Sequence, residues 1–139
     1  MNTYVEVLDE TLIDLGEPSD NTQVVSYTRH LTGEIGFDQE MQFLIASAAS
    51  ELATNIIRYA GQGQVILRIV RGDHVKGFEI LARDSGPGIK DIDEAMKENV
   101  SGGNGLGLGL PSVKRIMDEF DIQSEPGSGT TVVARKWRN

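Results

Sequence analysis

Glu51 and Asn55 stand four residues apart, and Ser47 and Arg58 extend the pair at spacings of four and three. On a helix these four side chains share one face. A carboxylate one turn from an amide has a definite use. The Asn55 side-chain oxygen can ligate Mg²⁺, and Glu51, ionised near neutrality, can take a proton from an attacking hydroxyl. The same row also fits the solvated flank of an amphipathic helix, and the spacing alone leaves both readings open.

Three further segments bear on that choice. Asp84 follows Phe78, Ile80 and Ala82 at the end of an apolar run and precedes Gly86 and Gly88. A carboxylate there would lie at a pocket floor, where it accepts from the amino group of adenine and repels the carbonyl of guanine. The bland reading is a common Asp-x-Gly-x-Gly turn. Ser101 to Gly109 carries Gly103, Gly105, Leu106, Gly107 and Gly109 and runs into a patterned helix. Ordering so much glycine costs entropy. Exposed backbone N–H groups and the positive end of the following helix are suited to phosphate oxygens, and a flexible linker is the alternative. Thr130, after Gly127-Ser128-Gly129, is placed to support the hydrogen bonds around Asp84.

Other nucleotide motifs are missing. The chain has no G-x-x-x-x-G-K-[ST], no G-x-G-x-x-G after a strand, and no His-Arg-Asp or Asp-Phe-Gly.

The elements that must position these residues are legible as periodicities. Thr3 to Leu15 reads as a strand or hairpin broken by Gly16-Glu17-Pro18-Ser19-Asp20. Val24, Thr28, Leu31 and Ile35 predict a helix capped by Asp20 or Asn21 and ended by Gly33 and Gly36. Asp38 to Ala60 predicts a long helix buried through Leu44, Ile45, Ala48, Ala49, Leu52, Ile56 and Ala60. Gln64 to Arg71 and Val75 to Asp84 read as strands joined by Gly72-Asp73. Ser85 to Gly109 reads as loop with at most a short helical piece at Asp91 to Glu98. A helix from about Leu110 to Phe120 follows, then strands Ile122 to Glu125 and Thr130 to Trp137. The expected fold is α+β, a two-layer sandwich of a mixed or antiparallel sheet with helices on one face.

The 139 residues fit one domain, 1–139. Absent cysteine excludes disulfides and thiolate metal sites, and His30 and His74 have no zinc-type spacing. Without cysteine a reducing cytoplasm is the expected compartment, and as no basic stretch precedes a long apolar run, no membrane insertion is expected. A formal charge of −8 argues against nucleic acid or an anionic membrane as partner. A polyphosphate then needs its positive field from a divalent ion and backbone N–H groups.

In order and over almost the whole chain, Glu51 to Asn55, Asp84 to Gly88, Gly103 to Gly109 and Gly127 to Thr130 resemble the motifs of the GHKL (Bergerat-fold) ATPases. Asn55-Ile-Ile-Arg-Tyr59-Ala-Gly61-Gln-Gly63 and the run from Gly107 to Phe120 are most similar to the serine kinases of bacterial partner switching, the stressosome switch kinase in particular. The resemblance implies Mg²⁺ on Asn55, Glu51 as general base, Asp84 on adenine, and the glycine loop as an ATP lid contacting nucleotide through Gly103, Gly105, Leu106, Gly107 and Gly109. It implies ATP as phosphate donor, a serine or threonine of a STAS-domain protein as acceptor, and activation of a PP2C-type serine phosphatase after release.

Relatives with a different output are an anti-sigma-factor kinase, which would bind a sigma factor, and a non-catalytic module that binds ATP only to order its lid. Histidine kinases need a phosphoacceptor histidine on a helical hairpin, a setting neither His30 nor His74 has. The lid has no Arg or Lys between Glu98 and Lys114. Arg58, Lys97 or a partner's residue would have to face the γ-phosphate instead.

Overall fold

The computed structural model describes residues 4–89, 95–96 and 109–139. Strand β1 (Glu6–Leu15) leads through a short turn at Pro18–Asp20 to helices α1 (Asn21–Glu34) and α2 (Gln39–Ala60). The hairpin β2 (Gly63–Gly72) and β3 (Val75–Asp84) comes next, then helix α3 (Gly109–Ile116) and the hairpin β4 (Glu119–Glu125) and β5 (Gly129–Trp137). The sheet order is β1-β2-β3-β5-β4, and every neighbouring pair is antiparallel. The α+β architecture is as expected, with the sheet antiparallel rather than mixed.

Alternation along each strand separates two faces. Ile13, Leu15, Val65, Leu67, Ile69, Phe78, Ile80, Ala82, Val132 and Ala134 point at the helices and share one core with Ile45, Ala48, Ala49, Leu52 and Ile56 of α2. Alanine at 48, 49 and 53, all fully buried, lets the α2 backbone come close to the strands. Each large apolar side chain sealed here contributes about 1.5–3 kcal/mol relative to exposure. Asp38 starts α2 by accepting the Met41 N–H at 2.8 Å, and Gly61, at φ +82°, ends it. No helix among the described residues is long and apolar enough to cross a membrane.

Four local expectations are corrected. Asp20 makes no side-chain cap on α1; its carboxylate accepts the Gly16 and Glu17 N–H groups at 2.8 and 2.9 Å and closes the preceding turn. Gly33 lies inside α1, and the reversal falls on Gly36 at φ +99°. The β2–β3 turn is centred on Asp73 and His74, both at positive φ (51° and 65°) as a type I′ turn requires, so Gly72 belongs to β2. Helix α3 stops at Ile116 rather than Phe120. The Asp118 N–H bonds the Arg135 carbonyl at 2.8 Å, and Glu119 already pairs with Arg135 in the sheet. Sheet pairing overrides the helical spacing of Met117 and Phe120, which still pack on the core.

The face away from the helices is organised in rows. Glu10, Arg68, Glu79, Arg135 and Glu119 are register partners across all five strands. Arg68 donates to Glu10 at 2.7 Å and to Glu79 at 3.0 Å, and Arg135 donates to Glu79 at 2.6 Å and to Glu119 at 3.2 Å. The Trp137 indole N–H also donates to Glu119. Glu79, 3% exposed, therefore sits between two guanidinium groups. Beside this ladder runs an apolar row, Leu12, Ile66, Leu81 and Val133, and beyond it a polar one, Asp14, Gln64 and Arg83.

Candidate functional site

Helix α2 carries Glu51 and Asn55 on the flank next to its buried stripe, both half-buried between exposed Ser47 and exposed Arg58. The polar row is thus sunk at its centre, unlike a fully solvated flank. Burial pushes the Glu51 carboxyl above the ordinary glutamate range, against the Arg58 guanidinium and the Gly109 N–H, which both favour the charged form. The Gly109 N–H faces the Glu51 carboxylate from the start of α3. Gly109 opens α3 at φ +61°, and Ser112 Oγ donates to its carbonyl at 2.8 Å. The start of α3 therefore lies beside α2 at the side chain best suited to proton transfer. Arg58 also lies 5.9 Å from the centre of the exposed Tyr59 ring.

Asp84 ends β3 opposite Thr130 of β5. Its Oδ1 accepts the Gly86 N–H at 2.9 Å, which bends the chain out of the strand. The glycines around it answer to close packing. A Cβ on Gly86 would lie 2.5 Å from Ala60 Cβ, one on Gly88 2.2 Å from the Glu125 carbonyl oxygen, and one on Gly129 2.1 Å from the Asp84 carbonyl oxygen. Gly88 and Gly129 in addition hold φ of +78° and +88°. The segment after Asp84 is clamped between the C-terminal end of α2 and the β4–β5 hairpin, so Gly86 and Gly88 have a packing role whatever ligand approaches.

Thr130 Oγ1 lies 2.8 Å from Ser124 Oγ. Ser124, which the sequence reading did not single out, accepts the Ile89 N–H at 2.7 Å and bonds the Gly129 carbonyl at 3.1 Å. It stitches the loop after Asp84 to the last hairpin. An isolated serine in a strand gives no signal of that, and only its pairing with Thr130 reveals it.

The structure brings Glu51, Asn55 and Gly109 together on α2 and the start of α3. Asp84, Gly86, Gly88 and Thr130 form a second group at the ends of β3 and β5, joined to α2 through the Gly86–Ala60 approach. Gly103, Gly105, Leu106 and Gly107, the short helix expected at Asp91 to Glu98 save Ala95 and Met96, and Lys97 lie outside the described residues.

Among the described residues no three His, Cys, Asp or Glu side chains converge to hold a metal ion. Mg²⁺ does not need such a cage, since it keeps several waters and takes one or two protein oxygens plus phosphate oxygens. Half-buried Asn55, offering one amide oxygen beside a carboxylate, fits that donor set.

The family model of the histidine kinase-like ATPase domain matches residues 16–136. The chain is 48% identical over 109 residues to serine/threonine-protein kinase RsbT of Bacillus subtilis, covering 78% of this chain and 82% of that protein. It is 35% identical over 97 residues to the anti-sigma F factor of Halalkalibacterium halodurans, 66% of each chain, and 34% identical over 95 residues to that of Bacillus licheniformis, 63% of this chain and 64% of the relative. The family match over 16–136 spans both groups of site residues, and the chain belongs to the histidine kinase-like ATPase domain family.

Proposed function

We propose that this chain is an ATP-dependent protein serine/threonine kinase of a bacterial partner-switching pathway, acting in the cytoplasm as one domain over residues 1–139. The observation that carries the reading is Glu51: a half-buried carboxyl raised by desolvation, one helical turn from Asn55 and faced by the first amide of α3. Identity of 48% to a protein named a serine/threonine-protein kinase supports the same chemistry.

In this reading Asp84 accepts from the adenine amino group, supported by Thr130, and the backbone of Gly86 and Gly88 lines the base. The glycine segment ending at Gly109 covers the phosphates. Asn55 would hold Mg²⁺, which when bound offsets phosphate charge. The partner's hydroxyl oxygen attacks the γ-phosphorus in line, the bond to the β–γ bridging oxygen breaks with its electron pair leaving on ADP, and Glu51 takes the hydroxyl proton. A carboxyl raised toward neutrality is a better proton acceptor than an ordinary one, provided it is ionised. Arg58, close enough to favour the Glu51 carboxylate, also supplies positive charge that the lid lacks.

The acceptor we propose is a serine or threonine of a STAS-domain protein, and the released kinase would activate a PP2C-type serine phosphatase. The test is a single-turnover incubation with labelled ATP, Mg²⁺ and a STAS protein: phosphoserine or phosphothreonine on the acceptor is expected. Bound nucleotide without transfer would leave a binding module instead. The anti-sigma F factor relatives favour one second reading, a kinase that also holds a sigma factor. Stable capture of a sigma factor in the presence of ATP would support it over the phosphatase partner.

A further inference from the structure

Among the described residues strand β1 is an edge whose outer side has no partner strand, and it is guarded by acids rather than by lysine or proline. Tyr4, Val7 and Leu12 in and beside it are 86%, 46% and 48% exposed, and Leu8, pushed out by the bulge between Val7 and Asp9, is exposed with them. Natural sheets blunt such edges with charged side chains, proline, bulges or short strands. Here ten residues carry one bulge and four acids with no proline or lysine, a guard that repels an acidic strand and admits a basic one.

The backbone has a free register. The Glu10 N–H is taken by the Asp9 side chain at 2.8 Å rather than by β2. Alternation in an antiparallel ladder then turns the N–H and C=O groups of Leu12 and Asp14 to the same outer edge. The side chains of Glu10, Leu12 and Asp14 begin the three rows of the open face: charge-alternating, apolar and polar. Proceeding outward through Glu119, Arg135, Glu79, Arg68 and Glu10, the signs run −, +, −, +, −, so the next strand continues the series with a cation. The Leu12 row continues with an apolar side chain. Beside Asp14, an acid that holds only the Gln64 amide at 3.0 Å, a second cation fits.

From this geometry we infer that the β1 edge binds an extended segment of a partner protein with the pattern Lys/Arg-x-apolar-x-Lys/Arg, which adds as a sixth strand. A second copy of this chain is a poor occupant. Two β1 strands paired antiparallel about Leu12 set Glu10 against Asp14, acid on acid, in chains that each carry −8.

The test uses the full chain and a capped heptapeptide, Thr-Arg-Thr-Val-Thr-Arg-Thr. Calorimetry should show binding that weakens with salt, and hydrogen exchange should show new protection at the amides of Leu12 and Asp14. The same peptide with N-methylvaline keeps the apolar side chain and loses the ladder donor; it and a peptide with both arginines replaced by glutamate should bind at least about tenfold more weakly. Leu12→Lys, at an exposed position that leaves the core untouched, should weaken binding similarly with an unchanged melting curve. Equal affinity for the N-methylated or acidic peptide, protection elsewhere than β1, or a concentration-dependent dimer closing over the same amides would each overturn the inference.

Discussion

The backbone N–H of Gly109 faces the Glu51 carboxylate and favours its charged form, so the side chain proposed as general base and the first residue of α3 share one local field. A displacement of Gly109 would change the field at Glu51. The reverse also holds, because a change of charge on Glu51 alters its attraction for the N–H groups that open α3.

Replacing Glu51 by Ala should lower phosphate transfer by roughly 10²-fold or more while nucleotide affinity changes little, the scale expected for a lost general base. Rapid-quench measurement of transfer beside calorimetric titration with Mg-ATP checks both halves. Transfer at the wild-type rate would remove Glu51 from the chemistry.

The raised Glu51 pKa fixes the sign of two pH effects. The folded chain holds this proton at pH values where the unfolded chain has released it, so the Glu51 contribution to stability falls as pH rises from the ordinary glutamate value through the raised one. Glu51→Gln removes that loss. Its melting temperature should exceed wild type at pH 7 and match it well below the glutamate range. Transfer by the wild type should rise with pH through the same raised value, as ionised Glu51 accumulates.

For Asp84→Asn the expectation is separation of binding from folding. Asparagine retains an oxygen for the Gly86 N–H, which Asp84 now holds at 2.9 Å, so the turn should persist and the melting temperature stay close to wild type. Calorimetry should show adenine nucleotide affinity falling strongly, because the amide offers a weaker acceptor and a competing donor. Normal affinity would contradict the pocket-floor role.

Two glycines of the last hairpin make a steric control. A Cβ on Gly127 meets nothing within 4 Å, so Gly127→Ala should cost only the strain of its positive φ, about 1–2 kcal/mol. On Gly129 the same atom would strike the Asp84 carbonyl oxygen, and Gly129→Ala should cost clearly more, with nucleotide binding lost alongside. Denaturant titration of both variants gives the comparison directly.

Glu79→Ala should be among the most damaging changes on the open face of the sheet. It leaves Arg68 and Arg135 without the nearly buried acid they share, a loss on the order of 3–5 kcal/mol for breaking a buried pair. Equilibrium unfolding in urea would measure it, and a loss within 1 kcal/mol, well below that range, would show that Glu10 and Glu119 suffice to hold both arginines.

What could be read from the sequence was what periodicity encodes. The α2 stripe, its start near Asp38 and the alternation of β2 and β3 depend on neighbours three, four or two residues away, and these elements stand where expected. The last turn of the expected α3 failed because Asp118 and Glu119 are claimed by Arg135, a partner distant in sequence. The Asp20 cap failed for the opposite reason: its carboxylate found two amides nearer than those of the helix. In the site, Glu51, Asn55 and Asp84 were marked by residue type and spacing, whereas Ser124 acquires its role only through strand pairing with Thr130. Glycines 86 and 88 were read for ligand approach, and their nearest constraint is other backbone.

The five-membered run of alternating charge also acts as a proofreader of assembly. Slipping one strand by a single residue would drive a charge into the apolar core, and slipping it by two would seat an ionic rung against an apolar one. With each strand contributing one member, misaligned hairpins are penalised wherever they form, so the open face selects a single alignment of the sheet before any ligand or partner arrives.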